Sequence, residues 1–138
     1  MRPSCSRYKQ LSVIVAVLVK KGGVLGFAVA RKPSNQERGW KKYGWHLDDR
    51  PAEFRRVVKG IAPCLASNAT IATDSHPSYA KWLNQALQQP YTHYKIKSAV
   101  GPGFDPLFAI NVAFAKMRND LARLGRKTWT TTKTMKGL

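Results

Sequence analysis

Residues 69–79 read Ala69-Thr70-Ile71-Ala72-Thr73-Asp74-Ser75-His76-Pro77-Ser78-Tyr79. An apolar, β-branched run gives way to a carboxylate and then to a turn-and-helix signal. The segment therefore predicts a strand ending in Asp74 and a helix beginning near Pro77. Asp74 is one of only seven acids set against 24 Lys and Arg. A carboxylate at the carboxyl end of a central strand, in so basic a chain, is where a metal-dependent enzyme acting on nucleic acid would hold a divalent cation. The plainer role for the same residue is to cap the helix that follows.

On the carboxyl side, Tyr79, Trp82, Leu83 and Leu87 fall on one side of the predicted helix, which then meets a strand at residues 91–98. In that strand Tyr94, Ile96 and Ser98 alternate with His93, Lys95 and Lys97. After the turn Gly101-Pro102-Gly103 comes the clearest helix of the chain. Asp105 is placed to cap it, Pro106 suits its first position, and Leu107, Ile110, Phe114, Met117, Leu121 and Leu124 recur at steps of three and four until Gly125.

On the amino side, Leu11–Val19 and Val24–Ala30 are apolar runs separated by Lys20-Lys21-Gly22-Gly23, which predicts a hairpin. Gly22 and Gly23 are expected to supply the positive φ of its turn, and the near-continuous apolarity predicts that both faces are covered. Residues 31–50 show no sustained period and read as a long loop. Asp48 or Asp49 then caps a helix entered through Pro51, with Phe54, Val57, Val58, Ile61 and Leu65 as its apolar stripe and Pro63 kinking or ending it. The order β-β-loop-α-β-α-β-α predicts an α/β fold with a mixed sheet.

At 138 residues this is one domain, with a core over about residues 9–125 and a basic tail at 126–138. The formal charge of +17 sits on a chain that is 43% hydrophobic, so this is a folded basic protein rather than a disordered basic tail. Its expected partner is polyanionic. Nucleic acid leads because Lys and Arg neutralise phosphates, and an anionic membrane surface is the runner-up. Cys5 and Cys64 have neither zinc nor disulfide-framework spacing and read as thiols of a reducing cytoplasm. The longest apolar run, Leu11–Val19, is too short to span a bilayer, so no membrane association by a spanning helix is expected.

Several blocks together resemble bacterial insertion-sequence transposases of the DDE type. Ile71–Tyr79 is similar to the family's second-aspartate motif. Phe104-Asp105-Pro106-Leu107-Phe108-Ala109-Ile110-Asn111, Met117-Arg118, Leu121, Arg123-Leu124 and Arg126-Lys127-Thr128-Trp129 with Lys133 resemble its carboxyl-terminal signature. Lys42-Tyr43-Gly44 and Asp49-Arg50 resemble a stretch before its first helix. The resemblance implies an RNase H-like mixed β-sheet flanked by helices, DNA transposition by phosphodiester cleavage and strand transfer, and Mg2+ (or Mn2+) as cofactor. It also implies a bacterial, cytoplasmic setting. It makes Asp74 a catalytic metal ligand. Asp105 is the only acid near the third position, where a cap role competes with the metal role.

The family's first aspartate lies on a strand before the hairpin, whereas residues 1–8 hold no acid. The expectation is thus a fold lacking its first strand, and a fragment that binds DNA but is inactive alone. The alternative is a non-enzymatic nucleic-acid-binding module, or a regulator that pairs with a full-length transposase or with itself. Lys41 and Lys42, set among Trp40, Tyr43 and Trp45, together with Lys116, Arg118, Arg123, Arg126, Lys127 and Lys133, are the candidate DNA contacts. A solvated helix face is the plainer reading of the second group. Only Asp120 offsets its cations, however, an excess beyond what solubility needs.

Overall fold

A computed structural model describes residues 11–33, 40–41, 44–97, 105 and 107–120. Strands β1 (Leu11–Leu18) and β2 (Gly23–Arg31) form the expected antiparallel hairpin. Its turn closes through the Gly22 N–H, which donates to the Leu18 carbonyl at 2.7 Å. Gly22 holds φ at 64°, a conformation that costs a residue with a Cβ. Gly23 was expected to share this duty. Instead it opens β2 as the partner of Leu18, and the positive φ of the turn falls on Gly22. The register shifts between Ala16, opposite Gly26, and Val17, opposite Val24, which leaves Leu25 as a bulge residue.

Helix α1 (Arg50–Ile61) starts at a short acidic step. The Asp48 Oδ1 accepts the Arg50 N–H at 3.1 Å, while Asp49 directs its carboxylate to the Arg31 guanidinium at the end of β2. Pro51 occupies the first turn, where its missing N–H leaves no helical bond unmade. Pro63 ends the helix as expected, in the 3-10 turn Ala62–Cys64. The stripe read from the sequence divides between two neighbours. Val57 and Ile61 close on Gly26 of β2, where a Cβ would stand 3.2 Å from Ile61 Cγ2 and 3.4 Å from Val57 Cγ1. Val58 and Phe54 turn instead to a cluster formed with the following unit.

That unit is strand β3 (Ala69–Asp74), helix α2 (Ser78–Ala86) and strand β4 (Tyr91–Ile96), with β3 and β4 parallel and in register from Ala69 opposite Tyr91 to Asp74 opposite Ile96. A parallel pair requires a crossover, and α2 provides it. The core joins Val58 of α1 to Leu83, Ala86 and Leu87, with Phe54, Ala62, Leu65, Ile71 and Tyr91 packed around them. Leu83 is fully buried. In β4 the expected alternation holds only in part: Ile96 is buried, but Tyr94, two residues before it, is 59% exposed. Ser98 lies outside the described residues. Helix α3 (Phe108–Asp120) lies against β1. Its most buried residue is Ala113, whereas Ile110, Phe114 and Met117 are half-buried. Leu121, Leu124 and Gly125 lie outside the described residues.

The fold is therefore mixed α/β. Its described strands form two separate two-stranded sheets rather than one mixed sheet. The physical reason is that no described strand hydrogen-bonds to both pairs: β1 pairs only with β2, and β3 only with β4. Helix α1 touches the hairpin and α2 alike and is the element that holds the two pairs in one body. Cover of the hairpin is also less complete than its apolarity predicted. Ala28 and Ala30 are buried, but Phe27 on the other face of β2 is 67% exposed. Among the described residues, no helix is long and apolar enough to cross a membrane.

Candidate functional site at the end of strand β3

Asp74 is the last residue of β3 and is exposed. Carboxyl ends of parallel strands are where open α/β sheets place ligands, because the chain leaves the sheet there and the loops diverge. The alternation of β3 puts Ile71 against the core and the chain then breaks at Ser75. The Asp74 Oδ1 accepts the main-chain N–H of His76 at 3.1 Å. It thus fastens the turn rather than the helix. The first helical amide is taken by His76: the Ser78 N–H donates to His76 Nδ1 at 3.3 Å.

Around this turn stands a group of rings. His76 lies 5.1 Å from Tyr79 and 6.0 Å from Trp82, centroid to centroid. Phe54 of α1 backs them, 5.0 Å from Tyr79 with the planes 20° apart and 5.5 Å from Trp82. Burial pushes the Tyr79 phenol up, and the Asp74 carboxylate pushes it further, against an opposing pull from Arg50. The hydroxyl stays protonated at neutral pH. Arg50 is itself held in a fork: Asp48 Oδ1 accepts its Nε at 2.8 Å and Oδ2 its Nη2 at 2.6 Å. That hydrogen-bonded pairing holds Asp48 below the usual carboxylate range and raises Arg50.

Next to Asp74 in the strand, the Thr73 hydroxyl donates to the Asp74 carbonyl at 2.9 Å and lies 2.8 Å from His93 Nε2 on β4. With the hydroxyl proton committed, the imidazole is the donor in that second contact, which places its proton on Nε2. Burial, followed by Lys95, lowers the His93 pKa. The end of β3 thus gathers a carboxylate, two oriented imidazoles, a neutral phenol and a guanidinium paired with its own carboxylate.

The chain matches no protein-family model, no curated protein and no solved structure. What the site can do rests on its own residues. Among the described residues, no group of three or more His, Cys, Asp and Glu side chains is gathered closely enough to hold a metal ion. A two-ion centre of the expected kind needs several carboxylates sharing the ions. Asp74 alone does not fit one. Asp105 is engaged at the start of α3, its Oδ1 accepting the Leu107 N–H at 2.8 Å and its carbonyl the Phe108 N–H at 2.9 Å. This is a capping arrangement.

Of the candidate DNA contacts, Lys116 and Arg118 are exposed on α3, and Lys41 is exposed on a helical turn ahead of α1, where the Gly44 N–H donates to the Trp40 carbonyl at 2.9 Å and the sequence predicts only loop. Lys42, Arg123, Arg126, Lys127 and Lys133 lie outside the described residues. Neither the strand pattern nor the helix signal of residues 69–79 singles out His76. Its signal was present in the spacing Asp74-x-His76-x-Ser78, which allows each side chain to accept the amide two residues on.

Proposed function

We propose that this chain is a DNA-binding domain of the insertion-sequence transposase kind, RNase H-like in descent, which holds DNA through its phosphates without cutting it alone. The observation that carries the reading is the charge: +17 on a mixed α/β fold, with Asp74 at the carboxyl end of a parallel strand. The element order supports it too, since a hairpin, a helix, a strand, a crossover helix, a strand and a final helix follow one another as expected for that fold without its first strand. Mg2+ or Mn2+ enters the proposal only with further carboxylates beside Asp74. No cleavage step is assigned to the described residues.

The test is a fluorescence-anisotropy titration with a labelled DNA duplex at 50 and 200 mM salt, beside a nicking assay with Mg2+ or Mn2+. For a protein making six to ten phosphate contacts, affinity should fall by about 10³-fold or more between these salt concentrations. Absence of binding at the lower salt overturns the DNA-binding reading. Nicking that disappears in Asp74→Ala overturns the claim that the chain does not cut.

A further inference from the structure

We propose that His76, with Tyr79 and Trp82 behind it, is a stacking seat for an unpaired nucleobase of a bound DNA strand. This rests on the DNA-binding reading and adds to it the form of the DNA. Three observations carry it. The rings form a slab of mutually tilted members, with Phe54 stacked on Tyr79, Tyr79 edge-on to Trp82 and His76 tilted 47° and 34° to those two; Phe54, Tyr79 and Trp82 are half-buried, while His76 is exposed. The aliphatic core of this unit is already closed by Leu83, Val58, Ala86 and Leu87. An exposed imidazole on top of the slab adds little to that core.

The second observation is rigidity. His76 is held at both its main chain and its side chain, by Asp74 Oδ1 at 3.1 Å and by the Ser78 N–H at 3.3 Å. An aromatic ring that is exposed and yet fixed loses little rotamer freedom when a second ring lies on it. Because Nδ1 accepts from Ser78, the neutral ring carries its proton on Nε2, leaving one ring donor for the exocyclic or ring acceptor of a base.

The third observation separates a base from a phosphate. The Asp74 carboxylate stands two residues from His76 and bonds to it, so an anion placed here meets a like charge. A neutral aromatic ring does not. The net positive charge of the chain draws the strand in, while the Asp74 carboxylate beside the rings favours a base over a phosphate at this point. Within a duplex both faces of each base are already stacked. The seat therefore takes bases of a single strand or of an opened end.

The experiment uses the whole chain with a single-stranded oligonucleotide containing 2-aminopurine and with a blunt duplex whose 2-aminopurine is internal. Wild type should change the 2-aminopurine fluorescence of the single strand and leave that of the internal duplex base unaltered. His76→Ala should weaken single-strand binding by about tenfold and leave duplex affinity within twofold. His76→Phe, which keeps a ring and removes the donor, should restore most of the loss. Equal effects of His76→Ala on both DNAs, no effect on either, or no rescue by His76→Phe overturns the seat while leaving DNA binding intact. Failure to bind duplex and single strand alike at low salt overturns both readings together.

Discussion

The Thr73–His93 pair shows how a strand pairing turns a surface histidine into a pH-sensitive one. β3 and β4 run parallel with Ile71 opposite His93, so Thr73 lies diagonally beside the imidazole and receives its Nε2 proton. Protonation at Nδ1 would add a charge that burial and Lys95 both oppose. The folded pKa lies below the unfolded value of about 6.5, so the unfolded chain binds the proton first as pH falls. Stability from this residue is fully present above that value and is lost as pH drops through the folded pKa. Urea melts at pH 7.5 and 5.0 should therefore differ less in His93→Gln than in wild type. Equal pH dependence in the two proteins would refute this role. None of it could be read from residues 91–98 alone, where His93 alternates with Tyr94 as any strand residue does. The partner that fixes its tautomer is supplied by another strand.

At the scale of elements, the starts of α1 and α2 and the end of α1 followed their proline and apolar-spacing signals, which act within one or two turns, although Asp49 at the N-cap of α1 makes no side-chain cap bond. Asp48 and Asp49 mark the start of α1, and Pro63 marks its end. Helix α2 depends more on what it covers. Leu83 is its one side chain with no exposure, set between α1 and the β3–β4 pair, and Ala86 and Leu87 continue the same contact. Leu83→Ala should cost about 2–5 kcal/mol, read as a lower urea midpoint with an unchanged slope. A change below 0.5 kcal/mol would show that the cluster does not join the two units. Gly26 illustrates what spacing does not reveal: in sequence it looks like a flaw in an apolar strand, and in the fold it is where Ile61 and Val57 approach β2 too closely for a side chain to be added freely.

At the scale of the whole molecule, the two strand pairs share one roofing helix, and among the described residues the outer edges of both pairs have no strand partner. The β1 edge is eight residues long, free of charge and of proline, and Leu18, Val24, Leu25 and Phe27 add exposed apolar surface on the same hairpin. Such an edge pairs readily with another chain. Sedimentation at rising protein concentration should show self-association, reduced in the double variant Leu18→Lys, Phe27→Lys, whose side chains are exposed and not needed for the core. A monomer at every concentration, with a single cooperative melt, would overturn this. The sequence by itself determined the element order, the limits of α1, the hairpin and the net charge, since each depends on neighbours along the chain or on composition alone. Only the tertiary structure decided that the strands form two pairs, that Asp74 fastens a turn while His76 receives the helix amide, and that Phe54, Tyr79 and Trp82 meet beneath it. These depend on contacts between residues distant in sequence, and such contacts leave no period in the chain to read.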